Sequence, residues 1–169
     1  MAITSSKALA RRSVLRLPLA LLGAAVLGHP LRTLARSDPD PITVWKNPDC
    51  GCCHEWVAHL RKSGFAVVTH DVKDTAPIRQ KLGLPAKFGS CHTASLINYV
   101  IEGHVPAQEI KRLLREKPKA RGLAVPGMPM GSPGMEMGTA SDAYDVLLVL
   151  TDGSSRIYQS YPSTSSVKS

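Results

Sequence analysis

The chain predicts a small α/β domain, with helices packed on a mixed sheet. Three observations carry this. Strand-like and helix-like apolar periods alternate along residues 42–160 in the order β, α, β, α, β, α, ββ. Turn-forming Gly, Pro, Asn and Asp residues separate those segments. At 169 residues the chain has room for one domain, and alternating elements of this kind pack as helices on a sheet.

Ile42 to Trp45 is a short apolar run fit for a buried strand, stopped by Asn47, Pro48 and Asp49. From Cys53 the apolar positions Cys53, Trp56, Val57 and Leu60 make a helical stripe, and Gly64 ends it in a left-handed position. Phe65 to Val68 is rich in β-formers. Asp74 is placed to cap a short helix with Ile78 and Leu82 on its inner face and Gly83 at its end. Thr93 to Ile101 alternates as one strand, followed by a bend at Glu102 and Gly103. Pro106 suits the first turn of a helix with Ile110, Leu113 and Leu114 inside. Residues 121–141 have no period and read as a long Gly, Pro and Met connection. Val146 to Leu150 and Arg156 to Tyr158 flank a turn at Thr151–Ser154 and read as a hairpin.

Residues 1–35 read as an export signal: five basic side chains, no acidic ones, and an apolar run from Val14 to Leu27 broken by Arg16, Pro18 and Gly23. Cleavage after Ala35 and a twin-arginine route through Arg11 and Arg12 both fit, beside a general secretory signal. The run is short of the roughly 20 apolar residues a membrane span needs, so no stable membrane insertion is expected once it is removed. The expected location is periplasmic or otherwise exported. Residues 36–41 read as a disordered lead-in, 42–160 as the domain, and 161–169 as a polar tail. Of the formal +8 charge the signal holds +5, leaving +3. That ordinary balance, with no basic stripe interleaved with aromatics, gives no case for nucleic-acid binding.

All four cysteines lie beyond the signal, at 50, 52, 53 and 91. Three thiols within four positions close no long loop and make a poor staple. Cys50-Gly51-Cys52-Cys53 stands between a strand and a helix, where the positive helix end favours thiolate. Cys50 and Cys53 form a C-x-x-C couple suited to redox exchange. The same sulfurs suit a soft metal, and the additional thiol of Cys52 serves a metal better than an exchanger. Cys91-His92 supplies a fourth sulfur and a nitrogen ligand. His54 is a further ligand candidate or a supporting residue, His59 and His70 read as surface residues, and His104 is not assigned. Met128, Met130, Met135 and Met137 crowd a Gly/Pro loop without core periodicity. Either this loop packs against the domain or its thioethers are a secondary donor set, and in the second case they favour Cu(I) over zinc.

Four motifs in order resemble the family called domain of unknown function 411. They are Lys46-Asn47-Pro48-Asp49-Cys50-Gly51-Cys52-Cys53 with Trp56, Ser90-Cys91-His92-Thr93-Ala94, Glu102-Gly103-His104-Val105-Pro106, and Gly122–Pro129 with Gly131–Glu136. The resemblance spans about Ile42 to Tyr158. It implies a thioredoxin-like fold and copper handling outside the cytoplasm, with Cys50, Cys52, Cys53, Cys91 and His92 as ligands.

The expected function is soft-metal binding in copper buffering, delivery or resistance, with the metal ion and a copper efflux or delivery protein as partners. A thiol–disulfide oxidoreductase using Cys50 and Cys53 is the alternative, and an iron–sulfur protein is a third. No catalytic residue is assigned outside that redox pair, since the chain lacks a G-x-S-x-G, a P-loop and a paired-carboxylate site.

Overall fold

The computed structural model describes residues 40–164. The segment read as an export signal, most of the lead-in and residues 165–169 lie outside the described residues. The strands are β1 (Ile42–Lys46), β2 (Val67–Asp71), β3 (His92–Leu96), β4 (Tyr99–Glu102), β5 (Gly122–Ala124), β6 (Tyr144–Val149) and β7 (Ser155–Tyr161). The helices are α1 (Gly51–Lys62), α2 (Ala76–Lys81) and α3 (Ala107–Glu116).

All seven strands join one mixed sheet in the order β2-β1-β3-β4-β5-β6-β7. Parallel neighbours need a crossover, and α1 supplies it between β1 and β2, α3 between β4 and β5. The remaining neighbours are antiparallel. The class is the one the sequence predicts, a mixed sheet with flanking helices. The cysteine loop lies where β1 passes into α1.

Strand alternation divides the core between the two sheet faces. Ile101, Leu123 and Leu148 join Ile42, Val44, Trp56, Leu60, Ile110 and Leu113 in the larger cluster, under α1 and α3. Their strand neighbours Val100, Ala124 and Val149 join Leu84 and Phe88 in a smaller one. Trp56 is fully buried and donates its indole N–H to the Val105 carbonyl at 2.9 Å. That bond ties α1 to the turn before α3.

Six local expectations are corrected. Helix α1 begins at Gly51 with Cys50 as its N-cap, so Cys52 and Cys53 lie in its first turn. The second strand begins at Val67 because the Phe65 N–H is taken by the Leu60 carbonyl at the helix exit, beside Gly64 at φ 91°. Its polar continuation, Thr69 to Asp71, gives no apolar signal because β2 is an exposed edge. The buried residue of α2 is Arg79, which has a buried carboxylate partner in Glu102, while Ile78 is only half-buried and Leu82, the C-cap, packs against the smaller cluster.

The run from Thr93 to Ile101 is two strands, folded back at Ile97, which takes φ 55°. The long connection holds β5, a strand of only three residues, too short to show a period. Finally, β7 reaches Tyr161, and Thr164 pairs with Ser141, so ordered pairing extends into the residues read as tail.

Candidate metal centre

Lys46 ends β1, and the turn at Asn47–Asp49, closed by Asn47 Oδ1 accepting the Asp49 N–H at 2.8 Å, delivers Cys50 to the start of α1. No acidic side chain occupies the first turn of α1. The unpaired N–H groups and positive dipole end there face the cysteines without a competing carboxylate. Cys53 is fully buried, whereas Cys50, Cys52 and Cys91 are half-buried. Cys50 and Cys53 form a disulfide, and Cys52 and Cys91 are free thiols. Cys52 Sγ lies 3.5 Å from Cys50 Sγ. Cys53 Sγ lies 3.7 Å from the Cys91 carbonyl, a packing contact, since a disulfide sulfur has no proton to donate.

Cys91 comes from the loop entering β3, next to β1 in the sheet. The sulfurs of Cys50, Cys52, Cys53 and Cys91 lie within 4.8 Å of one another, and a second cluster of that span joins Cys91 to His92 and His104. Cys91 Sγ is 3.2 Å from His92 Nδ1 and 3.0 Å from His104 Nε2. Cys91 is therefore common to a four-sulfur group and a sulfur–imidazole group.

Both imidazoles are kept neutral. Burial, with the His104 neighbour, pushes His92 down to about 3, and burial likewise lowers His104. His104 Nδ1 lies 2.8 Å from the Pro133 carbonyl, which can only accept, so Nδ1 carries the proton and Nε2 presents a lone pair to Cys91. His92 packs on Trp56 with ring centroids 4.2 Å apart and ring planes tilted by 35°, and its Nε2 is buried without a partner. Burial and the neighbouring Cys52 push the Cys91 thiol up to about 12. Without a cation Cys91 stays protonated. Sulfur and neutral imidazole at this density suit a soft cation, which would supply the charge that a buried thiolate here lacks.

The sequence-predicted residues Cys50, Cys52, Cys53, Cys91 and His92 are brought together. His54 is exposed and belongs to neither cluster. Met128, Met130 and Met137 are exposed and Met135 is half-buried. The backbone of their loop nevertheless runs against the site. Pro133 holds His104, Ser90 Oγ donates to the Gly127 carbonyl, and Gly134 lies so close to α1 that a Cβ there would stand 2.7 Å from Cys52 O. His104, unassigned in sequence, is part of the site. His59, read as a surface residue, is half-buried, and its Nε2 accepts the Ala107 N–H at 3.0 Å at the start of α3.

Fold and site together define a mixed α/β protein with a thiol–imidazole cluster at the first strand–helix junction. A family model described as a protein of unknown function, DUF411, matches residues 88–135, a stretch that holds Cys91, His92 and His104. Two solved structures described as copper resistance protein CopG, forms 1 and 2, are 44% and 43% identical to this chain. Each covers 74% of it with a TM-score of 0.70, and 99% and 100% of those chains are matched. The chain belongs to the DUF411 family. The curated proteins contain no match to it.

Proposed function

We propose that the protein binds copper as Cu(I), through Cys50, Cys52, Cys53 and Cys91 with His92 and His104, and serves copper buffering, delivery or resistance in the periplasm. The observation that carries this is the convergence of four sulfurs and two neutral imidazoles around Cys91. It occurs in a chain 44% identical to a copper resistance protein. Thiolates select soft ions, and a shared Cys91 thiolate has lone pairs enough to bridge two of them. The basic and apolar pattern of residues 1–35, read as an export signal, supports a site outside the cytoplasm, and among the described residues no helix is long and apolar enough to cross a membrane. The exposed methionines form a secondary set that hands Cu(I) toward the cysteines or on to an efflux or delivery partner.

Full sulfur ligation requires the Cys50–Cys53 disulfide to be opened, which takes two electrons and two protons from a dithiol reductant. The test is metal content after anaerobic reduction, with Cu(I) and Zn(II) offered in competition. Copper retained in preference to zinc is expected, and a reduced protein that takes up no Cu(I) would end the proposal.

A second reading is favoured by the disulfide itself: a helix-start C-x-x-C pair is the arrangement of a thiol–disulfide oxidoreductase. Catalytic turnover of a dithiol substrate, lost in Cys50→Ser, would identify that activity.

A further inference from the structure

Behind the loop that carries Cys91 lies a buried ion pair that neither donor cluster includes. Arg79 on α2 and Glu102 at the end of β4 are 8% and 0% exposed. Arg79 Nε donates to Glu102 Oε1 at 2.8 Å, and Nη2 stands at 2.8 Å from the same oxygen. As a source of stability such a pair is weak, because desolvation offsets the attraction and apolar residues of similar volume do as well. Its remaining bonds do something apolar residues cannot.

Both partners grip the backbone of Ser90. Glu102 Oε1 accepts the Ser90 N–H at 2.7 Å, and Arg79 Nη2 donates to the Ser90 carbonyl at 3.1 Å. The carboxylate is itself oriented by Thr93 Oγ1, which donates to Oε2 at 2.7 Å. The peptide groups before and after the Ser90 Cα are thereby fixed, and the second of these is the amide of Cys91. Space is also limited here, since a Cβ on Gly103, at φ 69°, would stand 2.6 Å from Ser90 Oγ.

We propose that Arg79 and Glu102 are positioning residues for Cys91. By clamping both peptide groups of Ser90 they hold the Cys91 sulfur between the cysteine loop and His104. The affinity consequence rests on the copper reading above; the geometric consequence does not.

The test uses the full chain with Arg79→Met/Glu102→Gln, which leaves no unpaired buried charge and keeps an amide oxygen for the Ser90 N–H. In metal-free protein with the disulfide intact, Cys52 and Cys91 are bridged by a short bifunctional thiol reagent, and the rate is compared with single modification by a monofunctional one. Cu(I) affinity of the reduced protein is measured against a chromophoric chelator, and the melting temperature is recorded. Supporting residues of metal sites typically contribute 10–100-fold in affinity. About a tenfold fall in the bridging ratio and in Cu(I) affinity is expected, with folding retained.

A folded double variant with wild-type bridging and wild-type affinity would overturn the proposal. Should that variant not fold, Arg79→Lys decides. Its single nitrogen cannot reproduce the fork to Glu102 and Ser90, so a smaller loss of bridging is expected and a wild-type ratio overturns the clamp. If the wild-type protein takes up no Cu(I), the copper reading fails and the bridging ratio alone decides the clamp.

Discussion

Cys91 and His104 face each other across the β3–β4 hairpin, with Sγ 3.0 Å from Nε2. The Pro133 carbonyl fixes the tautomer that makes Nε2 a lone-pair donor. His104 is therefore both a ligand candidate and the link between the cysteine site and the methionine loop. His104→Leu is expected to lower Cu(I) affinity by about tenfold or more while leaving the fold intact, a magnitude typical of losing a ligand or its support. His54→Ala, at an exposed position outside both clusters, should leave affinity unchanged. Chelator competition on the two variants checks this. Equal affinities would remove His104 from the site.

This pairing was legible in the sequence, had the turn been seen. The hairpin sets Leu96 opposite Tyr99 and Thr93 opposite Glu102, and the same register carried on places Cys91 opposite His104. The continuous alternation from Thr93 to Ile101 concealed the turn, because Ile97 is β-branched and takes φ 55°, a conformation such residues rarely adopt. The cysteine cluster was readable because its spacing is local and its helix stripe is strong. The Arg79–Glu102 pair was not, since its partners are separated in sequence and a cation on the inner face of a short helix gives no apolar period. Strand β5 was hidden for a different reason: its three residues pair with neighbours on both sides and need no pattern of their own.

Gly134 makes the close approach of the methionine loop to α1. It takes φ 88°, and an added Cβ would stand 2.7 Å from Cys52 O and Trp56 N, both backbone atoms. A non-glycine residue in the left-handed region costs about 1–3 kcal/mol before any clash. Gly134→Ala should therefore destabilise the protein by at least about 1 kcal/mol, read as a lower denaturant midpoint. Gly138→Ala, also at positive φ but in open space, separates the clash from the backbone cost and should lose less.

Acid should loosen the contact between α1 and α3. His59 Nε2 accepts the Ala107 N–H, and burial holds the imidazole below its ordinary value of 6.5, with Glu136 opposing and Lys62 assisting. A group whose folded value is depressed contributes stability above its unfolded value, and that contribution fades as pH falls below about 6.5 through the folded value. Protonation also turns the acceptor into a donor facing another N–H. Buried His92, pushed down to about 3, has the same sign. Burial raises the Glu102 carboxyl, so that group acts in the opposite sense. Unfolding free energies at pH 7, 6 and 5 should fall with acidity in the wild type and fall less steeply in His59→Gln, whose amide oxygen can still accept. Parallel slopes would show that His59 protonation does not matter.

Copper capacity should follow the redox state of Cys50 and Cys53. With their disulfide closed, only Cys52 and Cys91 are free thiols, so a thiol count on the oxidised protein should give two and on the reduced protein four. Each coordinating thiol must lose its proton, and burial with the neighbouring Cys52 holds the Cys91 thiol up near 12. Binding therefore displaces protons, and apparent Cu(I) affinity should rise about tenfold per pH unit for each proton displaced. The reduced protein should take up more Cu(I) than the oxidised one, with a steeper dependence on pH between 6 and 8. Equal uptake by the two forms would mean that Cys50 and Cys53 are not ligands and act only as a redox pair. In that case the copper would be held by Cys52 and Cys91 with the two imidazoles, and Cys52→Ser, rather than Cys53→Ser, would abolish binding.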